Sequence, residues 1–124
     1  LGMQLLSDKG FENGECAGLA FIPGLVEKIP VTEHDLPLPH IGWNSVRIKQ
    51  GKRIVQGLPV DPDFYFVHSY RLVPTDSSVI ASTAEYGVPI VAIIEKDNIF
   101  GTQFHPEKSA EAGLKILKNF SEVT

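Results

Sequence analysis

The chain has 124 residues, 43% of them hydrophobic and 21% charged, which is enough for one domain with a packed core. A formal net charge of −4 with no basic cluster argues against a nucleic-acid role, and no apolar run approaches the roughly 20 residues that a membrane span needs. The single cysteine, Cys16, excludes an internal disulfide and points to a reducing, cytoplasmic setting.

The sequence opens at LGMQLLSDKG, without an initiator Met and already inside an apolar segment. Leu1, Leu5 and Leu6 recur at helical spacing and predict the first turns of a helix that stops near Gly10. Nothing caps it, so residues 1–124 are expected to be the C-terminal portion of a single domain. Residues 11–40 are rich in Gly, Pro and acidic side chains; LAFIP is predicted as a short strand and the rest as loop.

From Trp43 the pattern is β. NSVRIKQ alternates, with Val46 and Ile48 on one face, and GKRIVQGLP reads as a turn and a small element. DFYFVHSYRLV, SSVIASTAEYG, VPIVAIIEKDN and IFGTQF give four strand candidates. VAIIEKDNIFG predicts a hairpin turning at Asp97-Asn98. From Ser109 the period becomes helical: Ser109 is the N-cap, Glu111 sits in the first turn, and Leu114, Leu117 and Phe120 form an apolar stripe with Ile116 beside it. A closing helix on a mixed sheet is an α/β layer architecture. Two helices for five or six strands leave sheet surface uncovered, so this piece alone is expected to fold poorly.

The chemistry gathers at QFHPEKS. The residue before a proline is pushed into extended backbone, and Pro106 has a fixed φ. In extended chain His105 and Glu107 project to the same side. A carboxylate at one ring nitrogen fixes the tautomer and leaves the other nitrogen to serve a nucleophile. On spacing alone, an exposed His beside a helix-capping Glu is the commoner arrangement. Cys16, in GECAGLAF, has Glu15 beside it, which opposes a reactive thiolate, and it reads as an ordinary loop or core thiol. Ser69 follows His68 directly, and on one strand the two side chains point to opposite faces. His34, His40 and His68 lack metal-ligand spacing; no metal and no cofactor are expected. Gly2 followed by a helix resembles the second half of a nucleophile elbow, which places the reactive residue immediately before Leu1.

LGMQLL, PHIGWN, YFVHSYR and GTQFHPEKS, in that order, resemble the class I (triad) glutamine amidotransferases from Leu1 to Phe120. PHIGWN and the lysine of HPEKS resemble, within that class, the glutaminase subunit of imidazole glycerol phosphate synthase. The resemblance implies an α/β fold, a mixed and mostly parallel sheet flanked by helices. It implies that His105 is the general base and acid and that Glu107 orients it. Leu1 would supply a backbone N–H to the oxyanion beside Gly2, Gln4 would contact glutamine, and Ser69 and Tyr70 would offer backbone contacts to its amino-acid end. His40, Trp43 and Asn44, in an exposed loop, and Lys108 would face a (β/α)₈-barrel cyclase, as in a heterodimer. The cyclase would consume the ammonia to make imidazole glycerol phosphate and an aminoimidazole carboxamide ribotide, in histidine biosynthesis. The family's Gly-x-Cys-x-Gly nucleophile motif would precede Leu1, so residues 1–124 alone are expected to be inactive. The glutaminase of a guanylate or anthranilate synthase, and a degenerate partner-binding domain without chemistry, remain the alternatives.

Overall fold

The structure, a computed structural model, describes residues 3–10, 16–30 and 36–123. Two short strands open it, β1 (Lys9–Gly10) and β2 (Cys16–Ala17), followed by β3 (Gly24–Lys28), β4 (His40–Ile48), β5 (Asp63–His68) and β6 (Tyr70–Pro74). Strands β7 (Ile80–Glu85), β8 (Pro89–Lys96) and β9 (Ile99–Thr102) lead to a 3-10 turn, Pro106–Lys108, and the helix α1 (Ala110–Val123). The strands form two sheets, ordered β2-β1-β3-β6 and β5-β4-β7-β8-β9. This is the mixed α/β class expected, but the sheets are not mostly parallel: among the described residues β1 pairs with β3 in parallel and the other six pairings are antiparallel.

Strand β8 separates two cores. Its side chains are buried from Ile90 to Glu95, as a strand covered on both faces requires. Ile90, Ala92 and Ile93 join a core with Phe64, Phe66, Phe104 and Ile116, between the larger sheet and α1. Val91 and Ile94 join Met3, Ile22, Val26 and Leu72 in the second core, between the sheets. The strict alternation breaks where the β7–β8 register shifts around Ser82, and that bulge lets neighbouring residues serve different cores.

Several elements differ from the sequence-based expectation. The opening helix is only a 3-10 turn, Gln4–Leu6, because the chain enters β1 at Lys9. LAFIP is not the strand; pairing begins after it, at Gly24. DFYFVHSYRLV is divided at Ser69 between two sheets. The hairpin at Asp97-Asn98 is present, with Lys96 opposite Ile99. The stripe expected to bury α1 is reversed: Ile116 and Asn119 face inward, while Leu114, Leu117 and Phe120 are exposed. Asn119 donates from Nδ2 to the carbonyls of Ile54 (2.9 Å) and Gln56 (2.8 Å), so the inward face of the helix also fastens the 53–56 segment.

Candidate active site

Strand β9 delivers the chain to Gln103, whose N–H still donates to Ala92 O, and then the backbone turns away from the sheet. His105 is extended (φ −97°, ψ 98°), as a pre-proline residue must be. Pro106 then opens the 3-10 turn rather than continuing the extended chain. The pair forms across that turn: His105 Nδ1 lies 2.9 Å from Glu107 Oε1. Both side chains remain open to solvent. The Glu107 carboxyl is held below its ordinary range, first by its own backbone N–H and then by His105, so it is a carboxylate across the physiological range. A carboxylate only accepts at Nδ1, so it holds the Nδ1–H tautomer and leaves Nε2 free to exchange a proton.

The backbone of the pair is clamped to β5. His105 N–H donates to Tyr65 O (3.0 Å), and Tyr65 N–H donates to Ser109 Oγ (3.0 Å). The Ser109 hydroxyl in turn donates to His105 O (2.6 Å). The 105–109 turn therefore occupies the free edge of β5 and fixes His105 at the same time. Ser109, expected as an N-cap, instead spends its hydroxyl on this clamp, while its carbonyl takes the first helical bond from Gly113 N–H.

The cleft beside the pair is about 410 Å³ and is lined by Met3, Gly101, Gln103, His105, Pro106 and Glu107 among others. Met3 packs so closely on Gly101 that a Cβ there would lie 2.8 Å from Met3 Cγ. The start of the described chain is thus held over β9, next to His105. Gln4 is half-buried and donates from Nε2 to Tyr70 O (3.1 Å) and Gln103 Oε1 (2.8 Å). Gln103, whose role the sequence did not suggest, is buried and joins Gln4 to the strand that carries His105. Ser69 is the bend between β5 and β6 and Tyr70 opens β6, and Ser69 O accepts from Ile29 N–H (2.9 Å).

Leu1, Gly2 and His34 lie outside the described residues. Cys16 is on β2, the outer strand of the smaller sheet, rather than in a loop. His40, Trp43 and Asn44 lie on β4, not in an exposed loop. His40 is 3% exposed and packs inside the chain, so it offers no surface contact; Trp43, on the opposite face, is 55% exposed. Trp43 stands over Tyr65 edge-on (5.9 Å), and Lys108 is exposed at the end of the 3-10 turn. Among the described residues no cluster of three metal-ligating side chains is present.

Residues 1–123 match the family described as Glutamine amidotransferase class-I. The imidazole glycerol phosphate synthase subunit HisH of Pelagibacter ubique is 48% identical over 120 residues, covering 97% of this chain and 58% of that protein. Subunit HisH of Moorella thermoacetica is 46% identical over 123 residues (99% and 57%), and that of Aquifex aeolicus 47% over 120 residues (97% and 56%). The chain therefore spans a little over half the length of these relatives. The crystal structure of a Thermoplasma acidophilum protein, described as belonging to GMP synthase, shares the fold at TM-score 0.63 and 22% identity, over 79% of this chain and 47% of that one. With the clamped His-Pro-Glu turn and the match over nearly its whole length, the chain belongs to the class I glutamine amidotransferases and resembles HisH.

Proposed function

We propose that the full-length protein hydrolyses the side-chain amide of glutamine and passes the ammonia to a cyclase that makes imidazole glycerol phosphate, in the cytoplasm, in histidine biosynthesis. The observation that carries this reading is the 2.9 Å His105–Glu107 contact beside the cleft that Met3 lines. The nucleophile is the thiolate of a cysteine, which the elbow-like Gly2-Met3-Gln4 sequence places immediately ahead of Leu1. It attacks the amide carbon, and backbone N–H groups, that of Leu1 among them, hold the oxyanion; one such donor typically contributes about 10²–10³ in rate. His105 Nε2, having taken the proton of that cysteine's thiol, gives it to the departing nitrogen; the C–N bond breaks, ammonia leaves, and a thioester remains. Water then loses a proton to Nε2 and attacks the thioester, and glutamate and the thiolate are released. Glu107 stabilises the imidazolium in each half. Gln4 and the backbone of Ser69 and Tyr70 receive the amino-acid end of glutamine. No cofactor enters these steps. The chemistry of this chain is amide hydrolysis; the ring-forming, lyase-type step belongs to the cyclase.

The partner is a (β/α)₈ barrel, in a heterodimer. The outward face of β4 and β5 supports a partner: Ile41 stands opposite Val67 and Trp43 opposite Tyr65, and Ile41, Trp43 and Val67 are all exposed. Exposed aromatic and aliphatic neighbours of this kind anchor interfaces. Lys108 completes the partner-facing set, whereas Asn44, on the inward face of β4, bonds His40 instead. In the full-length protein with its cyclase, His105→Ala should lower kcat for glutamine by at least about 10³, as loss of a general base does. Glutaminase activity at the wild-type level in that variant would remove His105 from the mechanism.

A further inference from the structure

Behind the outward face of β4, two histidines form a hydrogen-bonded line that the catalytic steps do not use. His40 and His68 are cross-strand partners on β4 and β5, and both are buried. His40 Nδ1 and His68 Nε2 are 2.8 Å apart. His68 Nδ1 is 2.8 Å from Tyr70 O, and His40 Nε2 is 3.2 Å from Asn44 Nδ2. Both ends of this line have a fixed sense. The Tyr70 carbonyl can only accept, so His68 carries its proton on Nδ1 and presents a lone pair at Nε2. His40 must then donate from Nδ1, which leaves its Nε2 as an acceptor. The Asn44 amide meets that requirement, and its NH₂ is also fixed by donation to Glu85 O (3.0 Å). Every proton in the line has one place only. Phe66 and Tyr86 stack on the two sides of His40, at 4.8 and 4.2 Å between centroids, and hold its ring in plane with this direction.

The line ends where the chain changes sheets. Ser69 is the break between β5 and β6, and His68 closes that break by donating to the carbonyl two residues on. The same carbonyl takes the Gln4 amide, so its lone pairs are both used. We propose that His40 and His68 are positioning residues, a relay of two Nδ1–H imidazoles that ties the partner-facing strand β4 to the Ser69–Tyr70 bend and sets that bend for the amino-acid end of glutamine. This rests on the glutaminase reading above. Burial, the larger cause for both rings, keeps them uncharged at neutral pH, as the relay requires.

The test uses the full-length protein with its cyclase partner and L-glutamine. Long-range ¹H–¹⁵N spectra near neutral pH should show Nδ1 protonated and Nε2 bare in both His40 and His68. An Nε2–H tautomer or a cation at either position overturns the relay. His68→Leu removes the donor to Tyr70 O and should raise KM for glutamine about tenfold, with kcat changed less than about threefold. His68→Asn places an amide N–H where Nδ1 stood and should keep KM within about threefold of wild type. A folded His68→Leu enzyme with unchanged KM, or equal KM defects in the two variants, overturns the positioning role. Should His68→Leu fail to fold, the asparagine variant and the tautomer spectrum decide. A wild-type complex without glutaminase activity would instead overturn the glutaminase reading, and the spectrum would still decide the relay.

Discussion

Among the described histidines, His40 has the most altered acid–base chemistry. Burial first, and the neighbouring His68 second, lower its pKa from the ordinary 6.5 to about 4. The folded protein therefore resists a proton that the unfolded chain accepts. Between those two values the unfolded state binds more protons, so stability is complete above pH 6.5 and falls as the pH drops toward about 4. A gap of this size corresponds to up to about 3 kcal/mol. Denaturant titrations of the full-length protein over that range should show the loss, and His40→Phe should show a shallower slope. An identical slope in the variant would assign the acid sensitivity to other groups. The two histidine pairs differ in how far the sequence discloses them. His105 and Glu107 are two residues apart with a proline between, so a local rule brings them together. His40 and His68 are 28 positions apart and meet only through the β4–β5 register, which no local pattern contains.

Helix α1 shows the same difference for a whole element. Its helical period and its start after Ser109 are legible, but its inward face is not, because the sequence favours the stripe with three bulky side chains and the structure buries the side with Gly113, Ile116 and Asn119. The cause is the 105–109 turn. Gly113 passes so close to it that a Cβ would stand 1.9 Å from Pro106 O and 2.9 Å from Ser109 Cβ. Only a face without a side chain at 113 fits against the turn. Gly113→Ala therefore sets two effects against each other. Alanine favours a helix interior by about 0.8–1 kcal/mol over glycine. Overpacking against backbone that cannot yield costs typically about 1–3 kcal/mol. With the carbonyl this close the clash wins. The full-length variant should lose roughly 1–2 kcal/mol of stability and, because the displaced atoms belong to the His105–Glu107 turn, should also lose kcat. A variant as active and as stable as wild type would mean that α1 moves away without disturbing the turn. The division of DFYFVHSYRLV at Ser69 is likewise hidden in sequence: the apolar alternation runs straight through, and the break is held by the local His68–Tyr70 bond and by bonds to Gln4 and Ile29 that arrive from elsewhere in the chain.

At the scale of the molecule the question is what these residues do without a covering. The larger sheet buries one set of side chains against α1, and β8 is covered on both faces. Elsewhere apolar surface stays open: Leu114, Leu117 and Phe120 along α1, Leu19 and Phe21 before β3, and Ile41, Trp43 and Val67 on the β4–β5 face. Leu114 alone is 64% exposed. Three such patches on a 124-residue chain exceed what a monomeric domain usually leaves in water. The curated relatives are longer by the remaining two-fifths of their length, and they are described as subunits of a synthase. The α1 stripe and the β4–β5 face are separate apolar surfaces, so separate covers are expected for them: under the proposed function, further residues of the full-length protein for the helix and the cyclase for the strands. Residues 1–124 expressed alone should therefore bind an apolar dye, melt over a broad range without a clear baseline, and resist purification as a monomer. The full-length protein without cyclase should melt cooperatively and retain dye binding from the strand face alone, and Trp43→Ser should reduce that remainder. If residues 1–124 instead gave a sharp, dye-free, monomeric melt, the exposed side chains would be tolerated surface, and the need for a cover on either side would fall.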